Sequence, residues 1–274
     1  MTSLNTVFKN VFGQALAPLG FVKIKGRQPY FVRVVPGGEI IHVITYRNEW
    51  CFDSGFKAFD ILGGVATVYR QSIDLTWTPS DNVNWFSSNW FFYSQSNPWN
   101  DDPESEFRKF RKSIYRFPYL ADNEESLLYA VEYSLRISEN IILPILDKAT
   151  TLDACVDYFY RFNLHMSIYD DENLGNDNPN NYCNEGLLLI KTNNKEGVIK
   201  ALEGYISSIA YQLKRGNGEL FRFTQEFYNE ELKKLEKLKL EKTFNPKMFT
   251  KELAELERRK AANTETLRSY GLDL

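Results

Sequence analysis

This 274-residue sequence has only two histidines and three cysteines, so a catalytic site that depends on a histidine must use His42 or His165. His42 lies in the apolar run 40–44, which alternation predicts to be a strand. With Cys51 or Asp53, His42 could form a nucleophile and base, as in a hydrolase or nuclease-like enzyme. We favour a hydrogen-bonded sheet histidine instead, because a single residue is a weak signal of a site. His165 is interpreted as a surface or capping histidine at a helix–loop junction.

Metal and cofactor chemistry has little support in the sequence. No two cysteines have the Cys-x-x-Cys spacing of a zinc site, and glycine-rich phosphate loops are absent. The Asn- and Asp-rich residues 170–184 predict a loop. A calcium loop starting at Asp170 would place Leu174 and Asn181 where oxygen ligands are required, with Asn181 at the position of the bidentate Glu. We therefore predict a solvated turn, and no cofactor.

The most unusual segment is residues 82–100, which contains no charged residue. Its seven aromatic residues are Trp85, Phe86, Trp90, Phe91, Phe92, Tyr93 and Trp99. The Asn and Ser residues between the rings are typical of a loop rather than a strand. The rings either pack on an open face of a sheet or form a contact loop for a protein partner, because Trp and Tyr dominate binding hot spots. For the second case the candidate partner-binding residues are Trp85, Trp90, Phe91, Tyr93 and Trp99.

Residues 107–117 interleave cations with aromatic side chains, a composition that can bind phosphate backbones and stack on bases. At helical spacing, however, Phe107, Phe110 and Ile114 fall on one face and the cations on the other. The whole chain carries 33 basic and 36 acidic residues, a net charge of −3. A broad basic surface is therefore missing, and we predict an amphipathic helix and no nucleic-acid partner.

The sequence predicts a cytoplasmic protein with no membrane partner. No apolar run approaches the ~20 residues that cross a bilayer. The first ten residues lack the basic start and apolar run of a signal peptide, and three widely spaced cysteines do not suggest a disulfide framework. The oligomeric state stays open.

The first half predicts one helix and a set of strands. Their ranges are 3–18 for the helix and 21–24, 30–35, 39–46, 52–62 and 65–73 for the strands. Gly20 is expected to end the helix in a left-handed conformation, and Pro36-Gly37-Gly38 to close a hairpin. Gly63-Gly64 is expected to separate the last two strands. The predicted fold class is α+β, with an N-terminal helix packed on a curved antiparallel sheet of about five strands.

The second half is predicted to be mainly helical. Helices are expected over residues 123–142, from Thr150 to Phe162, over 185–192 and 195–214, and in a charged tail with recurring leucines that is broken at Asn245-Pro246. Pro144 is expected to kink or end the first of these, and Thr150 with Asp153 to form a capping box. The tail over residues 219–242 could self-associate through Leu232, Leu235 and Leu238. The predicted regions are 1–120, 121–214 and 215–274.

The order of these features resembles a bacterial family of uncharacterised domains. The resemblance rests on the first helix, Leu19-Gly20-Phe21, the hairpin and Phe56 to Tyr69, and on Ile141 to Lys148 followed by a Thr-capped helix. It covers residues 4–162. It implies a helix on a curved antiparallel sheet followed by more helices, and it offers no catalytic residues. Some relatives resemble neighbours of toxin–immunity systems, which implies a binding role.

Two classes of function follow. The first is a non-catalytic protein-interaction module, immunity-like in the sense of the resemblance, that uses the sheet face and residues 82–100. The second is a hydrolase or nuclease-like enzyme that uses His42, Cys51 or carboxylates. We favour the first, because enzymes bring several ionisable groups together and the sequence shows no such set.

Overall fold

The computed structural model describes residues 2–26, 28–49, 55–70, 72–73, 75, 84–87, 117–161, 165–166, 182–183, 186–216 and 224–274. The chain divides into two compact units. The first unit comprises Met1–Val68, Ile73–Thr150 and Thr264–Leu274, and the second comprises Tyr69–Ser72 and Thr151–Asn263. The predicted division into three regions stays a prediction.

The N-terminal helix forms and ends as the sequence predicts. α1 spans Leu4–Leu16, and the side chain of Ser3 accepts the backbone N–H of Thr6 at its start. A 3-10 turn over Ala17–Leu19 leads to Gly20, whose φ of 81° is left-handed. The amide of the next residue then donates to the carbonyl of Leu16, which satisfies an orphan acceptor at the helix end.

Six strands of the first unit form one antiparallel sheet. They are β1 (Val22–Ile24), β2 (Tyr30–Val34), β3 (Ile40–Glu49), β4 (Phe56–Thr67), β5 (Asn84–Ser87) and β6 (Phe117–Leu120). β5 pairs with residues 62–65 of β4, and β6 pairs with residues 56–59 of the same strand. β5 and β6 therefore follow one another along β4 and together occupy one strand position in the sheet. The sheet therefore has five positions, in the order β1-β2-β3-β4 and then β5 with β6. The predicted antiparallel sheet and the hairpin between β2 and β3 are confirmed.

One prediction about the sheet is wrong, because β4 is a single strand of 12 residues. Gly63 and Gly64 lie inside it and do not separate two strands. Both continue the pairing with β3, where they lie opposite Ile44 and Val43. Neighbouring strands on both sides supply the backbone hydrogen bonds that hold two glycines extended, which compensates for their weak intrinsic preference for a strand.

Aromatic rings pack α1 against one face of the sheet. Phe8 stacks on Phe12 with 4.0 Å between the ring centroids, and it lies 4.9 Å from the ring of Tyr46 in β3. Phe31 of β2 lies 6.0 Å from Phe8. All four rings are buried, and each contributes roughly 1.5–3 kcal/mol through the apolar surface it removes from water.

A second long helix, α2 (Glu124–Ile137), packs on the same face of the sheet. Phe117 lies 5.3 Å from Phe59 and 6.4 Å from Tyr133 of α2, measured between ring centroids. A π-helical turn over Ser138–Ile142 then leads into the short α3 (Leu143–Leu146). Pro144 lies in the first turn of α3, directly after the π-helical turn, so it does not end the helical stretch as one of the two predicted outcomes would have it. The predicted helix over residues 123–142 is confirmed, and it continues beyond the proline.

The second unit is mainly helical, as predicted. Its elements are α4 (Leu152–Arg161), β7 (His165–Met166), β8 (Tyr182–Cys183), α5 (Leu188–Lys191), α6 (Lys195–Lys214), α7 (Gln225–Leu240) and a 3-10 turn (Pro246–Phe249). α8 (Thr250–Ser269) begins in this unit, and its last residues belong to the first unit. No helix among the described residues is long and apolar enough to cross a membrane.

Three local predictions in the second unit are corrected. Thr151, not Thr150, caps α4, since its hydroxyl accepts the amide of Ala154 at 3.2 Å. His165 lies in β7, which pairs in parallel with β8, and not at a helix–loop junction. Residues 182–183 form that second strand, so the predicted loop over 170–184 does not extend to its expected end.

The leucine spacing of the tail is explained by packing inside the second unit. Leu235 and Leu238 of α7 are buried. α7 packs on α6, where the rings of Tyr205 and Phe227 lie 6.3 Å apart. Near the other end of the pair, the Lys239 ammonium lies 2.6 Å from a carboxylate oxygen of α6. Two of the three leucines of the predicted self-association face are thus buried within the chain, and self-association of the tail stays a prediction.

Candidate functional site

The aromatic segment begins at the edge of the sheet. Trp85 and Phe86 lie in β5, in register with Gly64 and Gly63 of β4. The prediction that the segment is a loop is therefore wrong at residues 84–87, where pairing with β4 overrides the local preference of Asn and Ser. The other candidate contact residues, Trp90, Phe91, Tyr93 and Trp99, lie outside the described residues.

β5 has a neighbour on one side only among the described strands, because it pairs with β4 and with no other. An edge strand of this kind presents its second row of backbone N–H and C=O groups to whatever lies beyond it. Residues 88–100 follow this strand directly in the chain. Their starting point is thus fixed to the sheet by backbone hydrogen bonds.

His42 is fully buried in β3 and uses both ring nitrogens. Nδ1 lies 2.9 Å from Nη2 of Arg33, and Nε2 lies 2.9 Å from the carbonyl oxygen of Ala149. A guanidinium can only donate and a carbonyl can only accept. The ring is therefore neutral, with its proton on Nε2.

Arg33 connects this histidine to three other parts of the first unit. Its Nη2 donates to Oδ1 of Asp147 at 2.6 Å, beyond the end of α3. Its Nη1 lies 3.5 Å from the carbonyl oxygen of Leu19 at the end of the 3-10 turn. The guanidinium carbon stands 4.7 Å above the ring centre of Phe21. Arg33 thus holds the end of the first helix and the residues after α3 on β2.

Protonation of His42 is unfavourable in this setting. The pKa of His42 is lowered from 6.5 to about 4, mainly by burial and also by the positive charge of Arg33, while the bond to the Ala149 carbonyl and the charge of Asp147 act in the opposite direction. A general base is most effective when its pKa lies near the working pH. The described geometry of His42 is that of a structural histidine, which is the interpretation favoured from the sequence. Cys51 and Asp53 lie outside the described residues, so their pairing with His42 stays a prediction.

Sequence reasoning named His42 and missed its partners. Arg33 could have been found, because the hairpin register that follows from the Pro36-Gly38 turn places it opposite His42. Asp147 and Ala149 could not, since they lie more than 100 positions along the chain from the hydrogen-bond partners they meet here. No local pattern reports such a contact.

The remaining predictions of chemistry concern metals and cations. No group of three or more His, Cys, Asp or Glu residues among the described positions could hold a metal ion. The proposed calcium loop, residues 170–181, lies outside the described residues, as does the cationic run up to residue 116. Phe117, the last residue of that run, belongs to β6 and not to a helix.

Comparisons with family models, curated proteins and solved structures found no match to this chain. The resemblance to the bacterial family stays a prediction. The functional argument therefore rests on the residues and geometry of this chain.

Proposed function

We propose that this chain is a protein-interaction module whose contact surface is built on the aromatic segment 82–100. The observation that carries the proposal is the pairing of β5 with β4 at the edge of the sheet. This pairing anchors the uncharged, ring-rich segment to the framework at its start. Because the start of the segment is held by the sheet, fewer residues would have to become ordered when a partner binds its Trp and Tyr side chains. This lowers the conformational-entropy cost of binding.

The side chains of the segment suit protein recognition. Large aromatic residues bury much apolar area with few rotatable bonds, and binding hot spots are enriched in Trp and Tyr. Trp85, Trp90, Phe91, Tyr93 and Trp99 are the proposed contact residues. The resemblance to a family with toxin–immunity neighbours makes a protein toxin the first partner to test.

The experiment compares two tryptophan variants, Trp90→Ala and Trp99→Ala, with Tyr211→Ala as a matched control. The ring of Tyr211 is 52% exposed on α6, outside the proposed surface. A partner is first captured by the wild-type chain and identified, and its affinity for each variant is then measured by calorimetry. Loss of a hot-spot ring should weaken binding by at least about 30-fold.

Unchanged melting temperatures establish that the variants are folded. Hydroxyl-radical footprinting of the complex should show protection within residues 82–100. Wild-type affinity in the Trp90→Ala/Trp99→Ala double variant, or protection confined to other parts of the chain, would reject the proposed surface.

A further inference from the structure

A cavity of about 270 Å³ opens in the first unit where α1 and α2 begin. This is space for roughly nine water molecules, slightly below the usual size of a drug-binding pocket. Part of its wall is aliphatic, from Leu4, Ala121 and Leu127. The cavity can therefore hold a small molecule with an apolar body.

The starts of both helices line this cavity, which brings two sets of backbone donors together. Ser3 caps α1 through the amide of Thr6, and Asn123 caps α2 through the amide of Ser126. The amides of the first helical residues, Leu4 and Glu124, have no hydrogen-bond acceptor within the described part of the chain. Each helix start carries a partial charge of about +0.5.

Two charged side chains also line the cavity. The Glu124 carboxylate accepts the backbone N–H of Thr2 at 2.6 Å, and this hydrogen bond lowers the pKa of Glu124, so the group is ionised. Its charge offsets the two helix starts. The ammonium of Lys57, which has no ion-pair partner among the described residues, adds a positive charge to the lining, and the positive N-terminus also acts on Glu124. The cavity thus suits a ligand with a single negative charge.

Tyr119 supplies an independent indication of a ligand. It lines the cavity, lies opposite Lys57 in the β4–β6 register and is only 8% exposed. Its hydroxyl makes no hydrogen bond to any described residue and is not among their buried unpartnered atoms, so it is accessible from the cavity and free to donate to a ligand. Burial raises the pKa of Tyr119, so the hydroxyl keeps its proton and is available as a donor.

We propose that this cavity binds a small organic monocarboxylate. The carboxylate would accept hydrogen bonds from Tyr119, Lys57 and the amides at the helix starts, while its apolar body contacts Leu4 and Leu127. Phosphate fits less well, because it carries more charge at neutral pH and has no apolar part. This inference is independent of the proposed contact surface.

The test uses the full chain with three probes of similar shape, namely benzoate, benzyl alcohol and benzylamine. Binding is followed by amide chemical shifts in NMR titrations. We expect benzoate to bind with a dissociation constant of about 1 mM, as expected for a ligand of this size, and to shift the amides of Leu4 and Glu124. Tyr119→Phe and Lys57→Met should each weaken binding by at least about fivefold, the effect of one hydrogen bond.

The exposed Lys25 provides the control, since Lys25→Met removes a positive charge of the same unit outside the cavity and should leave the affinity for benzoate unchanged. Equal affinity for benzyl alcohol or benzylamine would overturn the inference, as would unchanged affinity in Lys57→Met. Absence of a saturable shift at benzoate concentrations tenfold above the expected constant would overturn it as well. Because Lys57 is exposed, we expect the Lys57→Met variant to fold. It therefore tests the inference even if Tyr119→Phe fails to fold.

Discussion

His42 shows how one buried titratable side chain can serve the fold. Its neighbours allow a single tautomer, because Arg33 donates to one ring nitrogen and the Ala149 carbonyl accepts from the other. A second proton on the ring would place an N–H group against the guanidinium. The free energy of the network therefore depends on His42 remaining neutral.

The stability of the protein should fall as the pH is lowered from 6.5 to 4. The folded pKa of His42, about 4, lies below the unfolded value of 6.5, so the unfolded state takes up the proton first. The stabilisation is complete above pH 6.5 and is lost toward pH 4, by roughly 3 kcal/mol in total. Urea unfolding between pH 7.5 and pH 4 measures the effect.

His42→Gln is the matched control, because an amide can also donate to Ala149 and accept from Arg33. We expect this variant to be less stable than wild type at pH 7.5 and to approach it as the pH falls. Parallel stability curves for the two proteins would contradict the assignment of the pH dependence to His42.

Glycine has different effects at the end of one helix and in the middle of another. Gly20 follows the first helix with φ of 81°, a conformation that residues with a Cβ rarely adopt. Gly204 lies inside α6, where an added Cβ would meet nothing within 4 Å. The same substitution should therefore have opposite effects at the two sites.

Gly20→Ala should destabilise the protein by on the order of 1 kcal/mol, because the left-handed backbone is strained for alanine. Gly204→Ala should stabilise it by roughly 0.5–1 kcal/mol through a better helix propensity. Thermal unfolding followed by circular dichroism compares both variants with wild type. Shifts of the same sign in the two melting temperatures would contradict the described backbone.

Two leucines near the end of α7 differ in burial, so they test whether burial determines how much a leucine stabilises the protein. Leu238 is fully buried, whereas Leu240 is 85% exposed. Leu238→Ala should cost about 2–5 kcal/mol through lost apolar burial and the cavity left behind. Leu240→Ala should change the free energy of unfolding by less than about 0.5 kcal/mol. Comparable losses in the two variants would show that the leucine face is not packed as described.

The two units draw on distant parts of the chain. The last residues, Thr264–Leu274, belong to the first unit, where Leu267 and Leu272 are buried. The hydroxyl of Tyr270 lies 3.4 Å from the amide nitrogen of Leu75, a separation of 195 positions. The charged tail predicted from the sequence is thus part of both compact units.

A chain ending at Gly216 should consequently fail to fold cooperatively. Without α7, Tyr205 and Ile209 of α6 would lose the rings of Phe227 and Tyr228 that pack on them, and the first unit would lose Leu267 and Leu272. Circular dichroism should show a broad thermal transition, and light scattering should show aggregation. A compact, cooperative truncated protein would favour the separable tail predicted from the sequence.

The sequence by itself determined the α+β class and the positions of the first helix, of the β2–β3 hairpin and of the helix over residues 195–214. Gly20 and the Pro36-Gly38 turn act through bonds within a few residues, so their effect is visible without the rest of the fold. The apolar spacing of α1 and α7 likewise identified the faces that are buried. Propensity and periodicity are local properties, which is why the α+β class could be derived from them.

Only the tertiary structure decided which distant groups meet. Gly63 and Gly64 signal a break locally, yet strands on either side hold them inside β4. The contacts of Arg33 with Asp147 and the cavity beside Tyr119 join segments far apart in the chain. Such contacts depend on the sum of many packing interactions, and no short run of residues encodes them.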